Sequence, residues 1–442
     1  MKTARVVAVG SAAGALLVSA VLAAAPAENS GGYRGPDRNG IYPASGLLKK
    51  WPEGGPKLLW KFDQLGPGWA SATVAGDTVY CLGGCAPGNL FAFDLRTGDL
   101  KYKKPYGDEF RARFDGTRST PTVSDGLVIF SSGKKDERSI YCYDAATGER
   151  LWHVDGNKEF GGQAQGWGYN ESPLVVDDLV VFTLRSKDTV CPPVVALDKR
   201  SGRTVWKADP GPGNLSAGDS SISLAGEAPH RIIVDNLWRA ILALDSKTGR
   251  TLWTINIDTG TTLTPTYVDG YLAVAKRTSD SKTDLTILKL APDSRSYEEL
   301  WSANADAISQ VVILDGKVFG IGSVEQVTKD SRGRDQKKRV RAWVAYDLKT
   351  GRVLKAEPCM DTGSIIAADG MVYIQEGGEG HCRTPKMSLL KPTPDGFECT
   401  GSFQPVIGTK EFWVGPTIAQ GRLFIRHGTL LACYDLRAGS YR

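Results

Sequence analysis

Histidine is scarce in this chain. Four residues, at 153, 230, 381 and 427, are scattered over 442 positions, so neither an H-E-x-x-H metal helix nor a histidine-based triad is suggested. G-x-S-x-G, a phosphate-binding loop and a dinucleotide fingerprint are also missing, which removes the common hydrolase, nucleotide and nicotinamide signatures. Charge of one sign is not in excess. A formal net charge of +5 on a chain this long indicates ordinary solubility and predicts no nucleic-acid partner. Beyond residue 24 no apolar run approaches the length of a membrane span. The 8 cysteines include no C-x-x-C pair with a histidine at ligand spacing, so no metal site is expected.

Glycine and proline, at 51 and 23 residues, are plentiful and suit many short strands joined by turns. Ile140 to Trp152, IYCYDAATGERLW, is the unit that recurs. Alternation gives a half-buried strand, the Asp side chain can bond turn amides, and the Gly supplies the positive φ that closes the turn. The aromatic four residues after the Gly lies on the returning strand, where it can pack against a neighbouring unit. Copies read LFAFDLRTGDLKY from Leu90, VVALDKRSGRTVW from Val194, ILALDSKTGRTLW from Ile241 and WVAYDLKTGRVLK from Trp343. The Asp residues at 94, 144, 198 and 245 stand 50, 54 and 47 residues apart. Longer gaps to Asp347 and Asp435 each leave room for one more unit, at Ile287 to Trp301 and at Met387 to Phe403, which makes eight. This period, with several strands per unit, predicts an all-β, eight-bladed β-propeller of four-stranded antiparallel blades.

The chain divides into three parts. Residues 1–27 combine a basic start, an apolar stretch and Ala25-Pro26-Ala27, as expected of a secretory signal peptide, with an uncleaved anchor as the alternative. Residues 28–56 form an irregular lead-in, too rich in Gly and Pro for a strand and expected on the ring surface. Residues 57–442 are the propeller. Leu58 to Phe62 looks like a last strand without predecessors, while the chain ends on Leu430 to Asp435 without a returning strand. Pairing the two closes the ring and leaves no open edge. Each blade opens on an inner strand, as in Ser119-Thr-Pro-Thr-Val123 or Leu263-Thr-Pro-Thr-Tyr267, followed by a turn such as Asp125-Gly126.

Cys142 and Cys433 stand where other copies have Ala, and are expected to be small core residues. Cys81 and Cys85 are close enough in one hairpin to pair, and Cys382 could meet Cys359 or Cys399. In blade six, residues 329–341 (KDSRGRDQKKRVR) carry seven Lys or Arg and read as a solvated hairpin loop relieved by Asp330 and Asp335, with a polyanion site as the sharper alternative. In blade seven, residues 376–385 include Glu376 and His381 and read as a mobile loop rather than a metal site.

The A-x-D-x-x-T-G-x-x-x-W pattern, complete at Ala243 to Trp253 and with Ser201 in place of Thr at Ala196 to Trp206, resembles the tryptophan-docking motif of pyrroloquinoline-quinone-type β-propellers. Arg34 to Gly40, with Trp51-Pro52 and Leu58-Leu59-Trp60, resembles the amino-terminal signature of exported bacterial members described as BamB-like. That resemblance implies one of two activities. Enzymes of this kind are quinoprotein alcohol or sugar dehydrogenases, with the quinone on the ring axis, Ca²⁺ held by carboxylate and amide oxygens, an Asp base, and in many members adjacent cysteines. Non-enzymatic relatives are binding platforms. This chain has neither an adjacent cysteine pair nor a C-x-x-C-H haem motif, and no Cys follows the apolar run to take a lipid.

Residues just before the inner strands should face the channel mouth. Trp69, Arg118, Asn170, Glu171, Asp219, Thr262 and Trp413 stand there, with Asn170, Glu171 and Asp219 as candidate Ca²⁺ ligands, Arg118 for a cofactor carboxylate and the tryptophans for stacking. The expectation is a monomeric, non-catalytic, exported platform, periplasmic or envelope-associated, that binds an envelope protein or extracellular ligand. On this reading there is no catalytic residue, no cofactor and no membrane span after signal removal. The alternative is a dehydrogenase that uses pyrroloquinoline quinone and Ca²⁺, or a degenerate relative that still binds the quinone.

Overall fold

The computed structural model describes residues 29–441 apart from 112–114, 135–136, 164–168, 186–190, 210–214, 216, 219, 259–260, 278–282, 305–309, 330–331, 360–362, 378–383 and 410–411. The expected signal peptide, Asp219, His381 and Cys382 lie outside the described residues. The strands form eight sheets, one per blade, and in the first seven the four blade strands run inner to outer in chain order. Blade one is typical, with Thr73–Ala75 innermost, then Thr78–Gly84, Gly88–Asp94 and Leu100–Gly107. Ring closure follows the expected pairing: Leu58–Phe62 lies antiparallel to Leu430–Asp435 as the outer strand of blade eight.

Alternation along each strand explains how so long a chain makes one ring. Successive side chains point to opposite faces, so every middle strand feeds two interfaces. In Leu127–Ser132, Val128 and Phe130 pack towards blade one while Leu127 and Ile129 pack towards blade three. The result is eight small cores, one between each neighbouring pair of blades. Cys142 and Cys433 belong to two of them, and burial pushes both thiols up to about 12.

The repeat works as a dock between blades. In five turns the Asp carboxylate accepts turn amides, as Asp144 does from Ala146 and Thr147 at 3.0 and 2.8 Å. These bonds fix the turn so that a flat glycine faces the preceding blade. There the indole Nε1 of Trp152 donates to Lys199 O at 3.0 Å, and its ring lies where a Cβ on Gly202 would sit. Trp301 does the same on Leu348 O and Gly351, and Trp60 on Leu95 O and Gly98 across the ring closure. Blade five lacks the Asp-Gly turn, and Trp253 donates instead to Ser294 O, with Ser294 itself at φ +57°.

The first half of the lead-in departs from expectation: residues 30–42 lie at the ring axis, and only the residues after them run over the surface of blades seven and eight. Residues 30–42 touch the inner strand of every blade, or the residues that open it. Ser30 N bonds Val74 O of blade one, and Gly31 O takes Val123 N of blade two. Arg38 donates to Ser172 O at 2.8 Å, to Pro173 O, and to Ile222 O at 2.9 Å, spanning blades three and four. Arg34 reaches Thr266 Oγ1 of blade five and Val311 O of blade six. Gly40 O takes Ala367 N of blade seven, and Tyr42 donates to Pro416 O of blade eight. Ile41–Tyr42 even adds a short parallel strand to blade seven. The reason is chemical: inner strands have one unpaired edge facing the axis, and a Gly-rich segment with two arginines can satisfy those carbonyls where a regular strand would not fit.

Two further expectations change. Cys81 and Cys85 do not pair. The strand stays extended through Gly84, which puts residues four apart at ~13 Å, beyond disulfide reach. The basic hairpin of blade six is mostly paired strand rather than loop: Lys317–Lys329 and Asp335–Asp347 form a ladder of 13 residues each.

Candidate functional site

A cavity of about 520 Å³ lies on the axis at the end where the inner strands begin. The residue that opens each blade, at or just before its inner strand, is Ser71, Thr120, Ser172, Ser221, Thr264, Gln310, Ser364 or Gly415, and of these Ser71, Thr120, Gln310 and Gly415 line the cavity. Their hydroxyls link the blades. Ser71 N donates to Thr120 Oγ1 at 3.0 Å, Thr120 N to Ser172 Oγ at 2.9 Å, Ser172 N to Ser221 Oγ at 3.1 Å, and Ser221 N to Thr264 Oγ1 at 3.2 Å. Ser71 Oγ donates to Gly415 O at 2.8 Å, and Ser364 to Gln310 at 2.7 Å. Tyr33, carried in by the lead-in, lines the cavity and accepts from Gln310 Nε2 at 3.2 Å.

Five of the seven residues expected at the mouth line this cavity: Trp69, Arg118, Asn170, Thr262 and Trp413. The two indoles face each other with centroids 5.3 Å apart and planes 31° from parallel. Arg118 lies over the Phe110 ring and donates to Asn170 Oδ1 at 2.8 Å. Glu171 is not among the lining residues. Its carboxylate accepts from Arg138 Nη2 at 2.5 Å and from Thr183 N and Oγ1, with both ionic partners almost fully buried. Tyr33, Ser71, Thr120, Gln310, Val414 and Gly415 were not legible as lining residues. The repeated hydroxyl before the inner strand was the available signal for Ser71 and Thr120, whereas nothing in the sequence places Tyr33 on the axis.

Two buried carboxyls flank the region without entering it. Asp235 lies on Ile232–Asn236 of blade four, accepts weakly from Ser220 Oγ, and has no partner for Oδ2 among the described residues. Burial, and then the Glu171 charge, push it up to about 8. Burial likewise raises Glu109 to about 7, although Tyr106 donates to it at 2.6 Å. Among the described residues no group of three or more His, Cys, Asp or Glu is placed to hold a metal ion. In blade seven Glu376 is buried and ion-paired with Lys386.

This all-β ring with its docking tryptophans fits a family model described as outer membrane protein assembly factor BamB, matched over residues 46–191 and 192–361, together more than half of the chain. The chain belongs to this BamB family. No curated protein matches it. Solved structures similar to it include BamB from Moraxella catarrhalis, 14% identical with a TM-score of 0.58, covering 86% of this chain and 100% of that one. A quinohemoprotein alcohol dehydrogenase from Pseudomonas putida HK5 is 12% identical with a TM-score of 0.61, covering 93% and 80%. A computationally designed protein, Ika8, is 12% identical with a TM-score of 0.56, covering 86% and 98%. An assembly factor, an enzyme and a design share one architecture, so these likenesses show the fold alone.

The dehydrogenase branch brings a quinone with Ca²⁺, an ion that takes six to eight oxygens, usually with carboxylates among them. No carboxylate stands among the described lining residues for that ion, and Asp219, an expected ligand, lies outside the described residues. The lining's one side-chain amide oxygen from the expected set, on Asn170, already holds Arg118, and the Glu171 carboxylate is held by Arg138 and Thr183.

Proposed function

We propose that this BamB-family chain is a non-catalytic exported β-propeller that serves as a binding or assembly platform for a protein or ligand in the bacterial cell envelope. One observation carries the reading: the Glu171 carboxylate, the acid nearest the mouth among the described candidates, is consumed by a buried pair with Arg138. That leaves the described lining of the cavity with indoles, hydroxyls, amides and one guanidinium, groups suited to recognition. Family membership supports the assembly role, and no helix among the described residues is long and apolar enough to cross a membrane. On this reading the protein works as a periplasmic or envelope-associated monomer whose partner meets the loops around the mouth.

The test is reconstitution. Purified protein incubated with pyrroloquinoline quinone and Ca²⁺ is assayed for dye-linked oxidation of primary alcohols and aldoses. No turnover above the quinone alone is expected, whereas turnover abolished by Arg118→Ala would replace the platform reading with the dehydrogenase one.

A further inference from the structure

The strand pair of blade six is about twice as long as its counterparts. Second and third strands elsewhere run five to eight residues, as in Leu127–Ser132 with Ser139–Asp144, against 13 and 13 here. Val311, which follows the cavity residue Gln310, pairs with Gly320, and the ladder then continues to Lys329 opposite Asp335. The ribbon therefore runs on beyond the level of Val311, on the cavity's face of the ring, by nine residues or ~30 Å at strand rise.

Its charge is concentrated. Residues 329–341 hold seven Lys or Arg and two Asp, a formal +5, which equals the excess of the entire chain. The remaining residues are therefore balanced. Opposite positions share a face in an antiparallel ladder, so Lys337, Arg339 and Arg341 lie along one face, opposite Val327, Glu325 and Ser323, with Lys338 on the other. Cations on one face recur every ~6.7 Å, twice the strand rise. Residues 332–339 are exposed, and the Lys337 side chain is 71% accessible although it pairs with Glu325 at 3.1 Å.

We propose that this ribbon is a docking surface for a linear acidic polysaccharide. A row of cations at regular spacing suits a polymer whose charges recur at short regular intervals. Nucleic acid is disfavoured because no Phe, Tyr or Trp lies between Phe319 and Trp343 to stack a base. A bilayer is disfavoured because the projecting strands expose a single large apolar residue, Val327, and no aromatic to sit at the interface. The surface is separate from the axial cavity, so this inference holds whether or not the cavity takes a quinone.

The experiment measures binding of the full mature chain to immobilised polygalacturonate across a salt series. The expected result is saturable binding that weakens as salt rises, and that falls at least ~10-fold in K337E/K338E, given the steep ionic dependence of polyanion contacts. Lys391→Glu, an exposed cation in blade seven, retains the parent affinity, and K337S/K338S reproduces the loss without adding negative charge. Unchanged melting curves confirm that the ribbon variants are folded. Equal binding by the K337E/K338E variant, equal loss in Lys391→Glu, or tighter binding to a single-stranded oligonucleotide or to anionic phospholipid vesicles overturns the proposal.

Discussion

Arg138 Nη2 and Glu171 Oε2 stand 2.5 Å apart with side chains 0% and 4% accessible, joining the third strand of blade two to the opening of blade three. A carboxylate so placed is an interblade strut. Breaking such a pair from one side leaves the other charge buried, so Glu171→Gln is expected to destabilise the protein by roughly 3–5 kcal/mol. Urea denaturation checks this. A change below ~1 kcal/mol would mean that the carboxylate is solvated and available to ligands.

A docking turn can be compared with the turn between the inner and second strands of blade six. Gly202 has φ +70° and a Cβ there would stand 2.9 Å from the Trp152 ring, whereas Gly316, at φ +67°, has open space around its Cβ. Gly316→Ala is expected to cost ~1 kcal/mol from backbone strain alone, and Gly202→Ala ~2–4 kcal/mol because overpacking adds to it. Equal losses in thermal melting would remove the interblade dock from the account.

Much of the fold was legible because one physical pattern repeats. Alternation, an Asp-capped turn and a returning aromatic are local, so each copy announces itself, and even the split blade could be closed from its two half-signals. The lead-in was not legible. Arg34 and Arg38 look like surface residues in a Gly-rich segment, and only the carbonyl edges of eight inner strands, brought together by ring closure, explain their burial. At the mouth, Trp69, Arg118, Asn170 and Trp413 could be placed by their position before an inner strand. Glu171 could not, because its partner Arg138 belongs to another blade. The blade-six ribbon was hidden by its charge, since Lys and Arg are weak strand formers and ladder pairing had to be seen.

The axial lead-in should behave as part of the core. Arg38→Leu would leave carbonyls of Ser172, Pro173 and Ile222 without their donor. The expected loss is about 3 kcal/mol in chemical denaturation. Arg38→Lys recovers only part of it, since one ammonium cannot span blades three and four as the fork does.

Stability should fall on both sides of a mid-acid optimum. Burial raises Asp235 to about 8 and Glu109 to about 7, so the native state holds their protons longer than the unfolded chain does. Their contribution is complete below the ordinary carboxylate range and is lost as pH rises through about 7 to 8. In Asp94, Asp144, Asp198, Asp245 and Asp347 the hydrogen bonds of the turn lower the carboxyl, so their contribution disappears as pH falls below ~4. Asp235→Asn should flatten the alkaline limb, leaving the part due to Glu109. Melting temperature against pH for both proteins checks the sign.

The most direct measurement is a titration of the purified protein with pyrroloquinoline quinone, with and without Ca²⁺, followed through tryptophan fluorescence. Trp69 and Trp413 line the axial cavity and would report any planar ligand entering it. The platform account predicts no saturable, Ca²⁺-dependent quenching up to high micromolar quinone. Saturable quenching that requires Ca²⁺ and disappears in Arg118→Ala would contradict it and return the cavity to the dehydrogenase branch of the fold.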